Sequence, residues 1–317
     1  MSMHSGTGKR APIFLDSAWY CYANSAAMLL SAVGEDIPPR TIEALSAVGL
    51  GASFKHLPFF GELTTPDKGL SQALALLGFE YDEAFVEVAD SPPFDRLDAL
   101  LAECPVILGP LDMSCLIYNP LRPREPGADH YVLAYAADGQ SVHLHDPAGF
   151  AHVSIERSYL ARAWRADGVS YKRGHYRHWT RPRRIRRPSS GELYEAALGA
   201  FKPLYRQAEE AAARERRPIG RDALLTLAKA ASQKAFSEAQ LGHLVFFALP
   251  LGAKRALDYA VFFQGQHEGL RQLKLDQAAV FGACQSSMTK EAWTEAAKAF
   301  ERLADIEALI KAAILLA

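Results

Sequence analysis

The chain has 317 residues, of which 49% are hydrophobic and 22% are charged, and its formal net charge is −1. This length and composition predict a soluble protein with two packed cores, and the balanced charge excludes a general affinity for nucleic acid. Residues 1–14 lack the apolar core of a signal peptide, and the chain has no apolar run of about 20 residues. We therefore expect neither export nor a membrane helix, and we predict a cytoplasmic protein.

The first residue that suggests chemistry is Cys21, which precedes an Ala- and Leu-rich run that reaches Gly34. Ser17 is suited to cap the start of a helix and Gly34 to follow its end, so Cys21 is predicted in or near the first turn. Unpaired backbone N–H groups in that turn stabilise a thiolate. Cys21 is therefore a candidate nucleophile, and a small buried cysteine is the alternative.

The segment 129–147 predicts a β-hairpin that carries a histidine and an acid. Its three-residue loop is predicted over 137–139, with glycine at the last position, where such loops need a left-handed residue. Counting back from this loop places His130 directly opposite Asp146, so that the two side chains touch. An acid on one ring nitrogen fixes the tautomer of the histidine and leaves the other nitrogen to take the proton of a thiol such as Cys21.

A cysteine at a helix start, then a histidine that opens a strand and then an acid is the chain order of papain-like cysteine enzymes. Several stretches of the chain resemble the N-terminal domain of the butirosin biosynthesis H protein family: Tyr20-Cys21 through Gly34, Gly49 to Phe54, Val106 to Asp112, and His130 to Leu133 with Asp146-Pro147. The His-Tyr-Val and Asp-Pro signatures also resemble bacteriocin-processing cysteine peptidases. The resemblance covers most of residues 14–150 and implies an α+β fold, with a papain-like domain built on an antiparallel sheet.

The resemblance also implies acyl transfer. Enzymes of the butirosin type move an aminoacyl group from a carrier-protein thioester to an amine, without ATP, in secondary-metabolite biosynthesis. In this chain Cys21 would exchange with the phosphopantetheine thioester, and His130 would return a proton to the departing thiol and then deprotonate the amine. The expected partners are an acyl carrier protein and a small-molecule amine. The phosphopantetheine arm arrives on the carrier, so we expect no other cofactor.

Two alternative functions remain open. One is a cysteine peptidase or amide hydrolase with the same three residues, because water competes with the amine for the acyl-enzyme. The other is a binding module that keeps a papain-like shape without turnover. The reactivity of Cys21 toward an alkylating agent separates this module from the two enzymes.

The groups that stabilise an oxyanion and contact the substrate are less well indicated. The glutamine that papain-like peptidases carry shortly before the cysteine has no counterpart here. The backbone N–H of Cys21 is one candidate donor, and Ser17 and Asn24 are side-chain candidates. Asp112, which follows the apolar run 105–108, is either a substrate contact or a turn residue at the end of a buried strand.

We expect no metal site. The four cysteines are scattered without CxxC pairing, which predicts neither a zinc framework nor a disulfide scaffold. His143 and His145 alternate along one strand, a pattern that is more typical of a polar face than of a metal site.

The chain is predicted to divide near its most basic stretch. Residues 177–188 carry six arginines and two prolines, the composition of a boundary or an extended connector. We predict the papain-like domain over 1–185 and an all-α domain over 186–317, where apolar residues recur at helical spacing. The Ser189-Ser190 pair predicts a helix cap, and the final helix is predicted over about 289–316.

The arginines are also a candidate docking surface. Carrier proteins are typically acidic and present a phosphate, with which arginine forms forked hydrogen bonds. Arg183 and Arg184 are the residues that we expect to contact such a partner. The alternative is a solvated connector without a binding role.

Overall fold

The computed structural model describes residues 12–15, 19–61, 63–88, 91–122 and 126–317. In chain order its helices and strands are α1 (Cys21–Ala32), α2 (Pro39–Ser46), β1 (Ser53–Phe54), β2 (Pro58–Phe59), α3 (Pro66–Leu76), β3 (Phe79–Val86), α4 (Phe94–Glu103), β4 (Val106–Asp112), β5 (Asp129–Ala137), β6 (Ser141–Asp146), β7 (Phe150–Glu156), α5 (Arg157–Arg165), β8 (His175–Arg184), α6 (Ser190–Glu215), α7 (Gly220–Ser232), α8 (Glu238–His243), α9 (Leu249–Phe263), α10 (Glu268–Thr289) and α11 (Trp293–Leu316). A short 3-10 helix, Met113–Cys115, follows β4.

The chain forms two compact units. The first unit consists of Met1–Ile42 and Gly78–Arg187, and the second of Glu43–Leu77 and Pro188–Ala317. The second boundary between the units, between Arg187 and Pro188, thus lies close to the predicted boundary at residue 185. Residues 43–77, in contrast, belong to the second unit, although the prediction placed them in the first domain.

The first unit is built on a six-stranded antiparallel sheet in the order β3-β8-β4-β5-β6-β7. Successive side chains of a strand point to opposite faces. On one face Val132 and Ala134 pack in a buried apolar cluster with α4 and α5, to which α5 contributes Trp164. From the neighbouring position on β5, Tyr131 contacts Tyr22 of α1. The helices and the antiparallel sheet that the α+β prediction implies for this region are therefore present.

The prediction of a connector over the arginine-rich run is wrong for residues 177–184, which lie in β8 between β3 and β4. Acidic side chains of the neighbouring strand compensate the positive charge across the ladder. Arg177 forms an ion pair with Glu83, and Arg181 lies 3.2 Å from Asp82. Because of this pairing, a strongly basic segment occupies an inner position of the sheet.

The second unit is mainly helical, as predicted for the C-terminal region. Its helix α6 begins with Ser189 as N-cap, and this residue forms a capping box with Glu192. The predicted helix cap is therefore confirmed. The start of the final helix is corrected, because Thr289 ends α10 and Glu291 has a left-handed backbone (φ 54°) that separates the two helices.

The core of the second unit contains charged side chains. Arg255 Nε lies 2.7 Å from Glu43 Oε1, and Lys274 Nζ lies 2.9 Å from Gln277 Oε1. Gln277 in turn donates to Glu307 at 3.3 Å. Burial lowers the pKa of Lys274 to about 8 and raises the pKa of Glu307. These groups lie in an environment that disfavours their charged forms.

Candidate active site

Cys21 is the first residue of α1, and the prediction that it lies in the first turn is confirmed. Its backbone N–H is one of those that have no acceptor within the helix. Tyr20, the N-cap, has a left-handed backbone (φ 53°, ψ 46°), which is uncommon for a tyrosine. Ser17, which the sequence predicted as the N-cap, lies outside the described residues, and the N-cap position of α1 is occupied by Tyr20. Gly34 follows the helix with a φ of 85°, as predicted.

Asn24 holds the turn that precedes Cys21. Its side chain is buried, and Nδ2 donates to the carbonyl oxygen of Tyr20 at 3.0 Å. The backbone N–H of Asn24 donates to the same oxygen at 2.8 Å. This double contact gives Asn24 a structural role, while a role for Asn24 or Ser17 in binding substrate stays a prediction.

His130 and Asp146 are in contact at the ends of neighbouring strands. His130 lies at the start of β5 and Asp146 at the end of β6, and the distance from His130 Nε2 to Asp146 Oδ1 is 2.6 Å. The exposed fractions of the two residues are 4% and 1%. The predicted contact is therefore present.

The predicted register of the hairpin is nevertheless wrong. The turn spans 138–141 and is longer than the predicted loop, a change that by itself would move Asp146 to the other face of the sheet. A bulge at Tyr135 inserts an extra residue into β5. The two changes together displace the pairing by an even number of residues, so Asp146 keeps its face and reaches His130 diagonally rather than from directly across.

The electrostatics of the site favour a charged imidazole. Asp146 occupies Nε2 of His130, which leaves Nδ1 for the hydrogen bond with the Cys21 side chain. Burial disfavours the imidazolium, but the carboxylate and the hydrogen bonds outweigh burial and raise the pKa of His130 well above its usual value. Burial also disfavours the charge of Asp146, but His130 and the donors Ala148 N–H and Tyr118 O–H lower the pKa of this carboxyl group. Asp146 can therefore hold a charged imidazole at His130, in hydrogen-bond contact with the side chain of the candidate nucleophile Cys21.

Tyr118 was missed by the sequence analysis. Its hydroxyl group donates to Asp146 Oδ2 at 2.9 Å, from the segment that follows the 3-10 helix. Burial and the neighbouring carboxylate raise the pKa of Tyr118 well above its usual value, so the hydroxyl stays a neutral donor. No motif surrounds this tyrosine, and only the folded chain brings it to Asp146.

Asp112 ends β4, as predicted for the end of a buried strand. Its Oδ1 accepts hydrogen bonds from the backbone N–H of Ser114 at 3.0 Å and from the Ser114 hydroxyl at 2.6 Å. The carboxylate thus caps the 3-10 helix, which corresponds to the turn-residue alternative. A substrate contact of Asp112 stays a prediction.

Arg183 and Arg184 both have acidic partners within the first unit. Arg184 Nη2 lies 2.8 Å from Glu35, and its guanidinium group lies 4.1 Å from the ring centroid of Phe79. Arg183 forms an exposed ion pair with Glu80. These contacts explain the two arginines without a docking partner, and the docking role stays a prediction.

Among the described residues no group of three or more His, Cys, Asp and Glu side chains is arranged to hold a metal. In the same part of the chain, no helix has both the length and the apolar character needed to cross a membrane. Cys21, Cys104, Cys115 and Cys284 take part in no disulfide bond, and burial raises the pKa of Cys284 to about 12.

Comparison with known proteins shows that the chain is similar to YobF. The family model of the YobF C-terminal domain matches residues 214–315, which lie in the second unit. The uncharacterized protein YobF of Bacillus subtilis (strain 168) is 35% identical over 296 residues, covering 93% of this chain and 95% of YobF. The similarity therefore extends over most of both units.

Proposed function

The chain belongs to the YobF family, and we propose that it is a cysteine-dependent acyltransferase that carries an acyl group on Cys21 from a thioester to an amine. The observation that carries this proposal is the chain of contacts from Asp146 through His130 to Cys21. A cysteine at a helix start beside a histidine and an acid on adjacent antiparallel strands also supports a papain-like fold for the first unit.

The first half of the reaction forms the acyl-enzyme. The thiolate of Cys21 attacks the carbonyl carbon of the thioester, a new C–S bond forms, and the carbonyl electrons move onto oxygen. The backbone N–H of Cys21, at the start of α1, is available to donate to this oxyanion. When the oxyanion collapses, the C–S bond of the donor breaks and the departing thiol takes a proton from His130.

The second half transfers the acyl group. The amine attacks the acyl carbon on Cys21 and gives its proton to His130, while Asp146 holds the ring in the required tautomer. Collapse of this second intermediate releases the amide and restores the thiolate and the imidazolium. One thioester and one amine thus give one amide and one thiol, without an oxidant or ATP.

Two further points concern the substrates. We take the donor to be an acyl carrier protein in secondary-metabolite biosynthesis, because the chain resembles the butirosin biosynthesis H protein family in the residues that surround Cys21, His130 and Asp146. We take the acceptor to be an amine rather than water on the same resemblance, because the near-complete burial of His130 and Asp146 restricts the approach of both acceptors and so does not distinguish between them.

The test follows the covalent intermediate by intact-protein mass spectrometry. The protein is mixed with an acyl N-acetylcysteamine thioester or an acyl-loaded carrier protein, and then with a primary amine. We expect an acyl adduct on the wild type and on Cys115→Ala, a matched half-buried thiol of the same unit, but none on Cys21→Ala. The adduct should then decay to the amide.

Two results would contradict the proposal. An adduct that releases only the free acid at every amine concentration indicates a hydrolase. No adduct, together with equally slow labelling of Cys21, Cys104 and Cys115 by iodoacetamide near neutral pH, indicates a module without turnover.

A further inference from the structure

Tyr118, Asp146, His130 and Cys21 form a continuous series of contacts in the first unit. Oδ1 of Asp146 accepts from His130 Nε2 at 2.6 Å and from the backbone N–H of Ala148 at 2.7 Å. Its other oxygen, Oδ2, accepts from the Tyr118 hydroxyl at 2.9 Å. Among the described side chains, Tyr118 is therefore the group that pairs with Oδ2.

We propose that Tyr118 is a positioning residue, which fixes the carboxylate plane of Asp146 and thereby the orientation of His130 toward Cys21. This inference rests on the proposed function, for which the orientation of the imidazole is needed. A carboxylate held at only one oxygen can rotate about its Cβ–Cγ bond, whereas donors on both oxygens fix its plane. The hydroxyl of Tyr118 thus acts on the reaction through Asp146, without contact to the reacting atoms.

Tyr118 is itself held in place. Its ring packs edge-to-face against Phe150, with the centroids 5.6 Å apart, and Phe150 pairs with Asp146 across the β6–β7 ladder. The backbone beside Tyr118 is fixed by Arg122, whose Nη1 donates to the Ile117 carbonyl at 2.6 Å. A donor that is anchored in this way can define the geometry of its acceptor.

The charge states agree with this role. Burial and the charge of Asp146 raise the pKa of Tyr118, so the hydroxyl keeps its proton over the working pH range. The same hydrogen bond contributes to the lowered pKa of Asp146, which His130 and Ala148 also lower. Loss of the hydroxyl should therefore change the pH dependence of the site, which the loss of a merely structural contact does not do.

The experiment measures the alkylation rate of Cys21 by iodoacetamide between pH 4 and pH 9, together with kcat and KM for a thioester, on the full chain. For Tyr118→Phe we expect kcat to fall about 10- to 100-fold with little change in KM, the range expected for a lost hydrogen bond to a charged group. The low-pH part of the plot of alkylation rate against pH, the acid limb of the profile, should move to higher pH. The reason is that Asp146 takes up its proton at higher pH when the hydrogen bond from Tyr118 is lost.

Tyr171→Phe is a matched control, because the Tyr171 hydroxyl donates to another carboxylate, Asp129, at 2.7 Å. This variant should leave the acid limb in place. On an Asp146→Ala background, Tyr118→Phe should cause no further loss. If Tyr118→Phe does not fold, 3-fluorotyrosine at position 118 keeps the ring and the hydroxyl, and its stronger donor should move the acid limb to lower pH.

An unchanged profile for Tyr118→Phe, an equal shift for Tyr171→Phe, or a further loss on the Asp146→Ala background would overturn the inference. An unchanged profile for the 3-fluorotyrosine protein would have the same effect. The alkylation profile needs no acyl donor, so its outcome is separate from that of the acyltransferase proposal. A wild type that alkylates rapidly at Cys21 but forms no acyl-enzyme would contradict the proposed function alone.

Discussion

His130 Nε2 and Asp146 Oδ1 lie 2.6 Å apart, and both side chains are almost completely buried. Their attraction raises the pKa of His130 and lowers the pKa of Asp146, although burial opposes both charges. Each charge thus depends on the other, and removal of one leaves its partner buried without compensation.

We predict that this pair stabilises the fold mainly between about pH 4 and pH 6.5. The contribution of Asp146, whose folded pKa is lowered, is present above its unfolded pKa and is lost as the pH falls through the folded value. The contribution of His130, whose folded pKa is raised, is complete below its unfolded pKa and is lost as the pH rises through the folded value. Urea denaturation from pH 3 to pH 9 should show a weaker pH dependence of the free energy of unfolding for Asp146→Asn than for the wild type.

The acylation rate of Asp146→Asn should also fall, because the amide no longer favours the charged imidazole of His130. Asp98→Asn is the control, since it removes an acid that pairs with Arg157 at the surface. The prediction fails if Asp146→Asn and Asp98→Asn have the same pH dependence of stability.

Asn24→Ala should weaken the turn in front of Cys21. The variant loses the buried hydrogen bond from Nδ2 to the Tyr20 carbonyl, and we expect the free energy of unfolding to fall by about 1–3 kcal/mol. Because Tyr20 keeps its left-handed backbone only while its surroundings hold it, the alkylation rate of Cys21 should fall as well. Ser31→Ala removes a side-chain to backbone hydrogen bond elsewhere in α1, so it should lower stability without slowing alkylation.

Gly109→Ala should disturb the core of the sheet beside His130. A Cβ atom on Gly109 would lie 2.3 Å from Cδ1 of Tyr131, a fully buried residue, so the strands must shift. We expect a loss of about 1–3 kcal/mol in the free energy of unfolding. Gly139→Ala meets no atom within 4 Å and should change stability by less than about 0.5 kcal/mol. Equal melting temperatures for the two variants would contradict this prediction.

Arg184 and Arg183 should differ in their contribution to stability. Arg184 has a side chain that is 13% exposed, and it pairs with the similarly covered Glu35, whereas the Arg183 side chain is 71% exposed. We expect Arg184→Gln to cost about 1–2 kcal/mol and Arg183→Gln less than about 0.5 kcal/mol. Chemical denaturation of both variants measures the difference. A similar cost for both would show that the pair with Glu35 adds nothing.

Lys274 should make the stability of the protein depend on pH above neutrality. Its folded pKa is lowered to about 8 by burial, and an unfolded lysine titrates near about 10.4, so the unfolded chain binds more protons between these values. The free energy of unfolding of the wild type should therefore rise with pH over this range relative to Lys274→Met. Lys298→Met, at an exposed position of α11, is the control for loss of a lysine. If the free energy of unfolding depends on pH in the same way for the wild type and for Lys274→Met, the lowered pKa of Lys274 is contradicted.

Several features could be predicted because they depend on residues that are close in the chain. The Ala- and Leu-rich run before Gly34 predicts a helix, and the turn residues around 138–139 predict a hairpin with His130 and Asp146 near its open end. The helical periodicity after residue 190 and the Ser189 cap are equally local. For these elements the pattern of apolar and polar residues is enough, since their backbone hydrogen bonds join near neighbours.

Other features were decided by contacts between distant parts of the chain. The arginine-rich run becomes β8 because acids on β3 compensate its charge, and the bulge at Tyr135 sets the face of Asp146. Tyr118 reaches Asp146 only in the folded chain, where Tyr118 packs against the buried apolar cluster of the first unit. The sequence by itself determined the helix that starts at Cys21 and the strands that carry the histidine and the acid. The tertiary structure alone decided which side chains complete the site, because strand pairing and bulges depend on the total energy of packing rather than on any local pattern.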